Sequence, residues 1–471
     1  MNRSRFIGIL QIGLLVLAGS SATLQAQNKS LFFSGLHPQT IRMNPAFHPE
    51  GSRLIFSPSF FGYFENSSLT VNDMLTTKEV NGVSDVYWDF ETIDRQLRDR
   101  NYVRFGAGAT PLYLGLRAGP AWYLNLAVSL TNTSYFQFPG TISQIRYGNA
   151  DLENDRPRTI DLNGYGLHEL SYASYRLGAV FEPSPAWKIG VHVNVLMGLS
   201  AIETQHFEAS IETSEDFTTS LLETDIAMNV SGTLFESDKL TRVFRPVLAF
   251  DEFVLGKNAA SFQNTGLGMD LGIVWDPGRT WSWYASVLDL GSIHWRLDPQ
   301  RLVSKGEYQF EGIQFSPYTL VEEDFSFSEY LKQYADTVLA TVIPDAVSED
   351  FRTSLYPKAY LGTSYRLSDA LHFHVLFHAT KYKEDVLTEA TISATWRPWV
   401  PLSLTGSLSY SNFWLYNLGL ALRLETDRIQ YFLASDAVNA FLDKRNSRGV
   451  NFAFGMNLAL WAKAPGKPLV D

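Results

Sequence analysis

The sequence predicts an all-β protein, a transmembrane antiparallel up-and-down β-barrel of about 14 strands. Three observations support this fold class. Several long segments alternate strictly between apolar and polar or small residues, and tryptophans lie beside short turns. An export signal begins the 471-residue chain, and no later segment is apolar enough for a membrane helix. Exported chains of this kind are typical of barrels in an outer membrane.

The clearest alternating segment is Trp187–Leu199. Apolar residues hold every second position, and the positions between them are small or polar apart from Leu196. A period of two places one face of a strand against an apolar medium. At about 3.3 Å per residue the segment spans roughly 43 Å, which a tilt near 45° reduces to about 30 Å, the thickness of a bilayer's hydrocarbon core. Gly449–Trp461 alternates in the same way.

Tryptophan positions favour lipid over a protein core as the apolar medium. Trp275 and Trp281 flank the turn Asp276-Pro277-Gly278. Others lie next to turns that contain proline or glycine, namely Trp122, Trp187, Trp396 and Trp399. Such rings form the aromatic girdle at a membrane interface, whereas a soluble sandwich would hold them in its core.

Short turns and long connections alternate consistently from a first strand at Leu54–Phe64 to a last strand at Gly449–Trp461. The resulting count is about 14, an even number as single-chain barrels require. The stretch Glu203–Asn264 leaves an alternative open, because two further strands around Glu223–Phe235 and Thr241–Phe250 would raise the count to 16.

The N-terminus has the three parts of a secretory signal peptide. Arg3 and Arg5 precede an apolar run, and a cut after Ala26 fits better than one after Ala22. A plug or periplasmic segment then precedes the barrel. The predicted organisation is a signal peptide at 1–26, the plug or periplasmic segment at 27–53, the barrel at 54–461 and a periplasmic tail at 462–471.

Composition excludes several classes of protein. Removal of the signal leaves 36 basic against 49 acidic residues, and this acidic balance argues against a nucleic-acid partner. A mean hydropathy of −0.08 excludes a helical membrane protein. The absence of cysteine excludes a lipid-anchored cysteine, a thiolate metal site and a cysteine nucleophile.

Three segments have apolar residues at helical spacing, namely Val71–Val80, Asp89–Arg98 and Ser328–Leu339. All three fall in long loops of the predicted barrel. We interpret them as short helices packed on the rim, in preference to a cap that receives a ligand.

The polar faces of the strands supply the candidate lumen residues. Leu371–Thr380 carries three histidines on one face, and Trp187–Leu199 carries three further polar residues. Two arginines on other strands could set selectivity or pair with acidic residues. The candidates are Lys188, His192, Asn194, Arg366, His372, His374, His378 and Arg397.

Histidines at i and i+2 on one strand could share a zinc ion. We favour ordinary lumenal polar residues, because no carboxylate on the same face completes a site, and we expect no metal or other cofactor. Serines and histidines are numerous, but no local signature marks a catalytic triad. The sequence therefore predicts a protein that is not an enzyme.

Before the first strand stands Met43-Asn44-Pro45-Ala46-Phe47, which resembles the Asn-Pro-Ala motif near the mature start of FadL-like fatty-acid transporters and PorV-type barrels. Asp-Leu-Gly recurs in Gly266–Trp275 and in Ser286–Trp295, and Ala434-Ser435-Asp436 fits the same pattern. The chain is thus similar to a family of Gram-negative outer-membrane barrels of unassigned function. The resemblance implies a barrel of about 14 strands with an N-terminal segment inside or beneath it.

The resemblance leaves two functions open. FadL-like barrels pass hydrophobic molecules, whereas PorV-type barrels serve a protein secretion system. The sequence favours a passive channel for small hydrophobic or amphipathic molecules over an accessory barrel of a secretion or surface-assembly complex. The expected partners are outer-membrane lipid, such small molecules and, in the second case, another envelope protein.

Overall fold

A computed structural model describes residues 29–33, 39–49, 51–80, 83–147, 150–151, 156–216, 219–232, 263–278, 280–310, 345–383, 385–399, 401–411, 416–426 and 428–463. The predicted signal peptide lies outside the described residues and stays a prediction, as do the domain limits. No helix within the described ranges is long and apolar enough to cross a membrane.

Fourteen antiparallel strands form the wall, as the sequence predicts. Strand β1 has two halves, Ser52–Phe56 and Ser59–Asn66, and the others are continuous. They are β2 (Arg100–Arg117), β3 (Trp122–Pro139), β4 (Gly166–Ser184), β5 (Trp187–Thr213), β6 (Thr265–Trp275), β7 (Trp281–Trp295), β8 (Lys358–Arg366), β9 (Leu371–Tyr382), β10 (Asp385–Trp399), β11 (Leu402–Ser411), β12 (Asn417–Glu425), β13 (Ile429–Ser435) and β14 (Gly449–Lys463).

Each wall strand pairs with its neighbours in sequence, and β1 pairs with both β2 and β14, so the sheet closes on itself. Closure removes the exposed strand edges that an open sheet would present to lipid. The alternation in β5 has the predicted consequence. Val191 and Val193 are 37% and 46% exposed on the outside, whereas His192 is fully buried inside.

The outer surface carries the predicted aromatic girdle. Exposed tryptophans cluster at the end of the barrel where short turns join the strands, namely Trp122, Trp187, Trp275, Trp281, Trp283, Trp396, Trp399 and Trp461. Indole rings favour the interface between hydrocarbon and water. We call this the periplasmic end, because short turns lie on that side of outer-membrane barrels.

Beyond the opposite, extracellular end, β5 continues into a smaller extension of the same sheet, which we call the extracellular sheet. Its outer part pairs with Ser220–Gly232, which in turn pairs with Gln300–Phe310. The predicted strand around Glu223–Phe235 therefore exists in part but is not a wall strand, so the count of 16 is wrong. The predicted strand Thr241–Phe250 lies outside the described residues.

The described helices are short and form no part of the wall. They are α1 (Lys29–Phe32), α2 (Val71–Met74), α3 (Phe90–Gln96) and α4 (Asn439–Leu442), with 3-10 turns at Thr40–Arg42 and Gly140–Tyr147. The predicted helix at Asp89–Arg98 is confirmed as α3, which Asp89 caps through a hydrogen bond to the Thr92 N–H. Ser328–Leu339 lies outside the described residues.

The prediction of a helix over Val71–Val80 is wrong beyond its first turn. A capping box between Thr70 and Asp73 starts α2, but the chain then enters a hairpin of Leu75–Val80 with Val83–Trp88. Thr76, Thr77 and Val80 are β-branched, and β-branched residues favour strands. Helical spacing alone did not reveal this preference.

The first strand is interrupted where Ser57-Pro58 separates its two halves. Proline cannot donate a ladder hydrogen bond, and the Ser57 N–H instead donates to the Pro111 carbonyl of β2, 2.9 Å away. The register of β2 with β3 shifts beside Pro111, between Ala109 and Leu112. The two kinks therefore face each other in the wall.

Candidate functional site

The N-terminal segment lies inside the barrel. We use the name plug for residues 29–33 and 39–49, whose side chains are all buried apart from the half-buried Arg42. The plug reaches from Lys29, near the extracellular ends of the strands, to His48 at the periplasmic end. The site is accordingly the boundary between the plug and the inner face of the wall.

The motif Asn44-Pro45-Ala46 sits in a notch of the wall. Gly190 of β5 and Gly272 of β6 face each other in the ladder. A Cβ atom on Gly190 would lie 2.2 Å from the carbonyl carbon of Pro45, and one on Gly272 would lie 2.1 Å from the Asn44 side-chain oxygen. Glycine is thus required at both positions for the motif to approach the strands this closely.

Asn44 also bonds directly to the wall. Its amide nitrogen lies 3.2 Å from the carbonyl oxygen of Ile273 and 3.3 Å from that of Ala285, so it donates to adjacent strands β6 and β7. Its own side-chain oxygen accepts from the Ala46 N–H at 2.9 Å. The Ser286 hydroxyl donates to the Met43 carbonyl at 2.5 Å. These bonds fix the plug's lower half.

Aromatic and aliphatic side chains fill the space between plug and wall. Phe32 contacts Phe33, Phe47, Tyr284 and Tyr360 with ring centroids 4.7 to 6.0 Å apart. The buried cluster comprises Leu31, Phe32, Phe33, Met43, Ala46, Phe47, Val274, Leu288, Tyr360, Leu376, Ala421, Phe432, Ala434 and Ala453. The middle of the lumen is therefore apolar, unlike the polar interior of a water-filled porin.

A buried polar contact joins the plug to the two ends of the wall. The Gln39 amide nitrogen lies 2.7 Å from the Ser57 hydroxyl of β1 and 2.8 Å from the side-chain oxygen of Asn457 in β14. The Asn457 amide returns a hydrogen bond to the Gln39 side-chain oxygen at 3.0 Å. This plug residue thus contacts the strands that close the barrel.

Charged groups hold the upper end of the plug. Lys29 forms an ion pair with Glu389 of β10. The carboxylate of Asp436 accepts the backbone N–H groups of Lys29 and Ser30 at 2.6 and 3.0 Å. A carboxylate on the first N–H groups of a helix satisfies donors that have no partner within the helix.

A second ion-pair group holds the lower end, and we call it the sealed side of the periplasmic mouth. Arg117 of β2 donates twice to Glu182 of β4, at 2.8 and 2.7 Å. His48 of the plug bonds to the same carboxylate through Nε2 and stacks on Tyr123 at 4.4 Å. One carboxylate thus serves a wall cation and a plug side chain.

Of the predicted lumen residues of β5, His192 and Asn194 are buried and Lys188 is half-buried at the periplasmic end. Asn194 accepts from the Nε of Arg176 at 3.0 Å and donates to Asp270 at 2.9 Å. His192 Nδ1 lies 3.4 Å from the same Asp270 carboxylate, too loosely to count as a hydrogen bond. Arg176 and Asp270 were not among the predicted residues.

The predicted histidines of β9 face the lumen. The ring nitrogens of His374 bond to the hydroxyls of Ser364 and Thr395 at 2.7 and 3.0 Å, and its ring stacks on Phe33 at 4.2 Å. His378 bonds to Thr380 at 3.0 Å. Within the described ranges no group of three or more metal-ligating side chains converges on one point.

The two predicted arginines lie at the periplasmic end, on the other half of the lumen from Arg117. Arg366 stands opposite His372 in the ladder of β8 and β9, and Arg397 follows on β10. A further guanidinium group, that of Arg423 on β12, lies in the same region and was not predicted. We call Arg366, His372, Arg397 and Arg423 the open side of the periplasmic mouth.

Sequence reasoning missed the partners that the fold brings together. The Asp-Leu-Gly repeat was noticed, and its first aspartate proves to be Asp270, whose carboxylate accepts the Asp289 N–H of the second repeat at 2.8 Å. Asp289 has a positive φ of 58°, so the repeat shapes a bulge between β6 and β7. Gln39 and Arg423 carry no local signal.

Several solved structures are similar to this chain over most of its length. The toluene transporter TodX of Pseudomonas putida is 10% identical, covers 93% of this chain and 94% of its own, and gives a TM-score of 0.39. A FadL homologue of Pseudomonas aeruginosa is 9% identical, with coverage of 94% and 99% and a TM-score of 0.44. The toluene transporter TbuX of Ralstonia pickettii is 10% identical, with coverage of 89% and 93% and a TM-score of 0.41.

These likenesses are too distant to transfer a substrate, and no curated protein matches the chain. A family model matches residues 45–436, from the proline of the plug motif to the aspartate that caps α1. That span covers most of the sequence. The chain therefore belongs to DUF5723, a family of unknown function.

Proposed function

We propose that this protein is a gated channel that passes small hydrophobic or amphipathic molecules across the outer membrane, with the plug as its gate. The observation that carries the proposal is the apolar cluster in the lumen. Phe32, Phe33 and Phe47 of the plug pack on Tyr284 and Tyr360 of the wall. Displacement of the plug would expose an aromatic path, which favours apolar solutes over ions and sugars.

The way the plug is held supports a gate. Its attachments to the inner wall are a few polar contacts around an apolar centre, with no disulfide, since the chain has no cysteine. The notch at Gly190 and Gly272 admits the motif by its shape, and the Asn44 amide holds it there through hydrogen bonds to two wall carbonyl groups. A segment held in this way can leave and return as a unit.

A permeation assay in liposomes tests this proposal. Gly190→Ala places a methyl group where the Pro45 backbone now lies, so we expect the motif to leave its notch. Influx of an apolar tracer such as toluene should then rise severalfold over the unchanged protein, whereas influx of a sugar of similar size should rise much less. Equal rises for both would contradict an apolar path, and no rise for either would contradict a gate.

Gly406→Ala is the matched control. Gly406 is also a wall glycine, but a Cβ atom there would meet nothing within 4 Å. The same chemical change should therefore leave tracer influx unaltered. A rise in this control would show that loss of a wall glycine makes the barrel leak without any involvement of the plug.

A second candidate function is an accessory barrel that binds another envelope protein. The small extracellular sheet favours it, because the 27-residue β5 extends past its partner β6 to pair with Ser220–Gly232. Ion pairs stiffen this sheet. Lys305 and His206 bond to Asp225, and these bonds lower the pKa of the Asp225 carboxyl.

A paired experiment distinguishes the two candidate functions. Failure of every solute to cross in both the unchanged protein and Gly190→Ala, together with recovery of one stable envelope protein on affinity-tagged barrel, would favour the accessory function. Tracer influx that depends on the notch would favour the channel.

A further inference from the structure

We infer that the open side of the periplasmic mouth, formed by Arg366, His372, Arg397 and Arg423, is a binding site for a phosphoryl group. The ligand is free phosphate, a small phosphate monoester or a lipid with a monoester headgroup such as phosphatidic acid, which share the same dianionic group. The inference does not depend on the transport proposal, since a barrel of either function could carry this site.

The ladder registers bring the four residues to one arc of the inner wall. Arg366 faces His372 across β8 and β9, and His372 faces Thr395 across β9 and β10. Arg397 follows in the bulge of β10 between the pairs Trp396–Leu404 and Trp399–Leu402, and Ser403, the β11 residue between those partners, faces Arg423. Neighbouring strands lie about 4.8 Å apart, and successive arginines are two strands apart. Their Cα atoms are therefore separated by about 10 Å along the wall.

Three of these side chains have a buried nitrogen atom without a partner. The Nε atoms of Arg397 and Arg423 and the Nε2 atom of His372 are buried, and none has a hydrogen-bond partner among the described residues. Buried polar groups are nearly always bonded, so each such group calls for an explanation. A bound anion that accepts from several of them supplies one.

The site is also accessible to a ligand from the periplasm. Arg366 is exposed at the end of β8, whereas His372 and Arg397 are half-buried and the Arg423 side chain is 11% exposed. The exposed arginine marks the way in from the periplasm, and the deeper ones would close around the ligand. Guanidinium groups present several donors in a fixed plane, which suits a tetrahedral phosphate.

The balance of charge favours a dianion. Within the described residues, Glu425 is the one carboxylate within 4.0 Å of these guanidinium groups, at 3.3 Å from Arg423. Asp369 lies nearby in the exposed turn between β8 and β9. Three guanidinium groups against one inner carboxylate leave an excess of two positive charges, and a phosphate monoester carries about −1.5 to −2 near pH 7. A carboxylate would balance half of that excess.

Calorimetric titration of the purified barrel in a maltoside detergent tests the site, with inorganic phosphate and glycerol phosphate as probes and acetate as the comparison. We expect both phosphates to bind more tightly than acetate. The double variant Arg397→Gln, Arg423→Gln should lose at least about tenfold in phosphate affinity, since hydrogen bonds to charged groups are among the stronger ones. Arg397→Lys keeps the charge and should fall between the two.

Arg301→Gln is the matched control, because Arg301 pairs with Glu349 on the extracellular sheet, far from the mouth. Its phosphate affinity should equal that of the unchanged protein. Heat-modifiable mobility on gels shows whether each variant still forms a closed barrel. Phosphate binding that is absent, matched by acetate, or unchanged in a correctly folded double variant would overturn the inference.

A second arm separates the two sources of the phosphate. The barrel is placed in phosphatidylcholine vesicles with and without phosphatidic acid, and the phosphate titration is repeated. Loss of the phosphate signal with phosphatidic acid in the folded protein supports a lipid headgroup. Retention of the signal supports a soluble phosphate. Either result requires the arginine dependence measured in the first arm.

Discussion

The two sides of the periplasmic mouth contain similar cations that differ in whether they have a carboxylate partner. On the sealed side, Arg117 shares the Glu182 carboxylate with His48 of the plug. On the open side, Arg397 has no carboxylate within 4.0 Å among the described residues. The same residue type at the same end of the barrel therefore has two different electrostatic environments. A cation with an internal partner fixes the plug, whereas one without such a partner is available to a ligand.

The contrast extends to the wall beneath each half. The sealed side adjoins strands β5 to β7, whose paired glycines and free carbonyl groups receive Asn44-Pro45-Ala46. Strands β8 to β12 contact the plug through apolar and aromatic side chains, such as Tyr360 on Phe32 and His374 on Phe33, and through Glu389 on Lys29 at the far end. The plug is thus bound through backbone hydrogen bonds on one half of the barrel and mainly through side-chain packing on the other.

Removal of the shared carboxylate on the sealed side should have the largest effect on the free energy of unfolding. Glu182→Gln leaves Arg117 and His48 facing each other without their shared carboxylate. Both pairs are partly shielded from water, so we expect a loss of about 2 kcal/mol in the free energy of unfolding. The midpoint of urea unfolding, followed by the heat-modifiable gel band, measures it.

Glu349→Gln is the control for that change. Glu349 pairs with Arg301 on the extracellular surface, where both side chains are about half exposed. Exposed pairs contribute little, and we expect a change below about 0.5 kcal/mol. Equal losses in the two variants would mean that the sealed side is no tighter than a surface pair.

Removal of the plug's side-chain anchor should come next. Asn44→Ala deprives the Ile273 and Ala285 carbonyls of a buried donor, and we expect a loss of about 1–2 kcal/mol in the same assay. Asn72→Ala removes an amide that bonds to Asn446 on the exposed surface and should change stability by less than about 0.5 kcal/mol. A neutral Asn44→Ala variant would contradict the assignment of the notch as the seat of the plug.

Addition of a carboxylate to the open side should change the free energy of unfolding by a smaller amount and in the opposite direction. Ser403→Asp places a carboxylate between Arg397 and Arg423, and we expect a gain of about 0.5–1 kcal/mol in stability without added phosphate. Phosphate affinity should fall at least about tenfold in calorimetry. A loss of stability above about 1 kcal/mol would show that the introduced carboxylate does not pair with these arginines.

The smallest effect belongs to Arg397→Gln measured without phosphate. An unpaired guanidinium group stabilises nothing in the fold, so the unfolding midpoint should shift by less than about 0.5 kcal/mol. Arg117→Gln, its counterpart on the sealed side, should lose about 1–2 kcal/mol because Glu182 is then left half-buried beside His48. Equal losses would remove the distinction between the two sides.

The sequence predicted the wall well, because a strand that spans lipid must alternate over its full length. Trp187–Leu199 shows this pattern, and the fourteen-strand count followed from it. The extension of β5 to Thr213 was not predicted, since a strand in water outside the membrane has no apolar medium on one face to impose the pattern. The hairpin at Leu75–Val80 was missed for a related reason, as short exposed segments carry mixed signals.

The site was predictable in its parts but not in its pairings. Both Asn44-Pro45-Ala46 and the Asp-Leu-Gly repeat that contains Gly272 are visible in the sequence as parts of one resemblance. Nothing local, however, connects Asn44 to carbonyl groups more than 220 positions away. The same holds for Arg397 and Arg423, whose nearness arises from the register of three strands rather than from spacing in the chain.

Gln39 has a consequence for the order of assembly. Its side chain bonds to Ser57 near the start of the wall and to Asn457 in the last strand. Asn457 lies 418 positions after Gln39 in the chain. Contacts between such distant positions require a large loop to close, so they form late. The binding pocket for Gln39 is complete once β14 has joined β1, and a chain that lacks its last strand cannot seat the N-terminal segment in this way. Occupation of that pocket therefore reports that the barrel is complete.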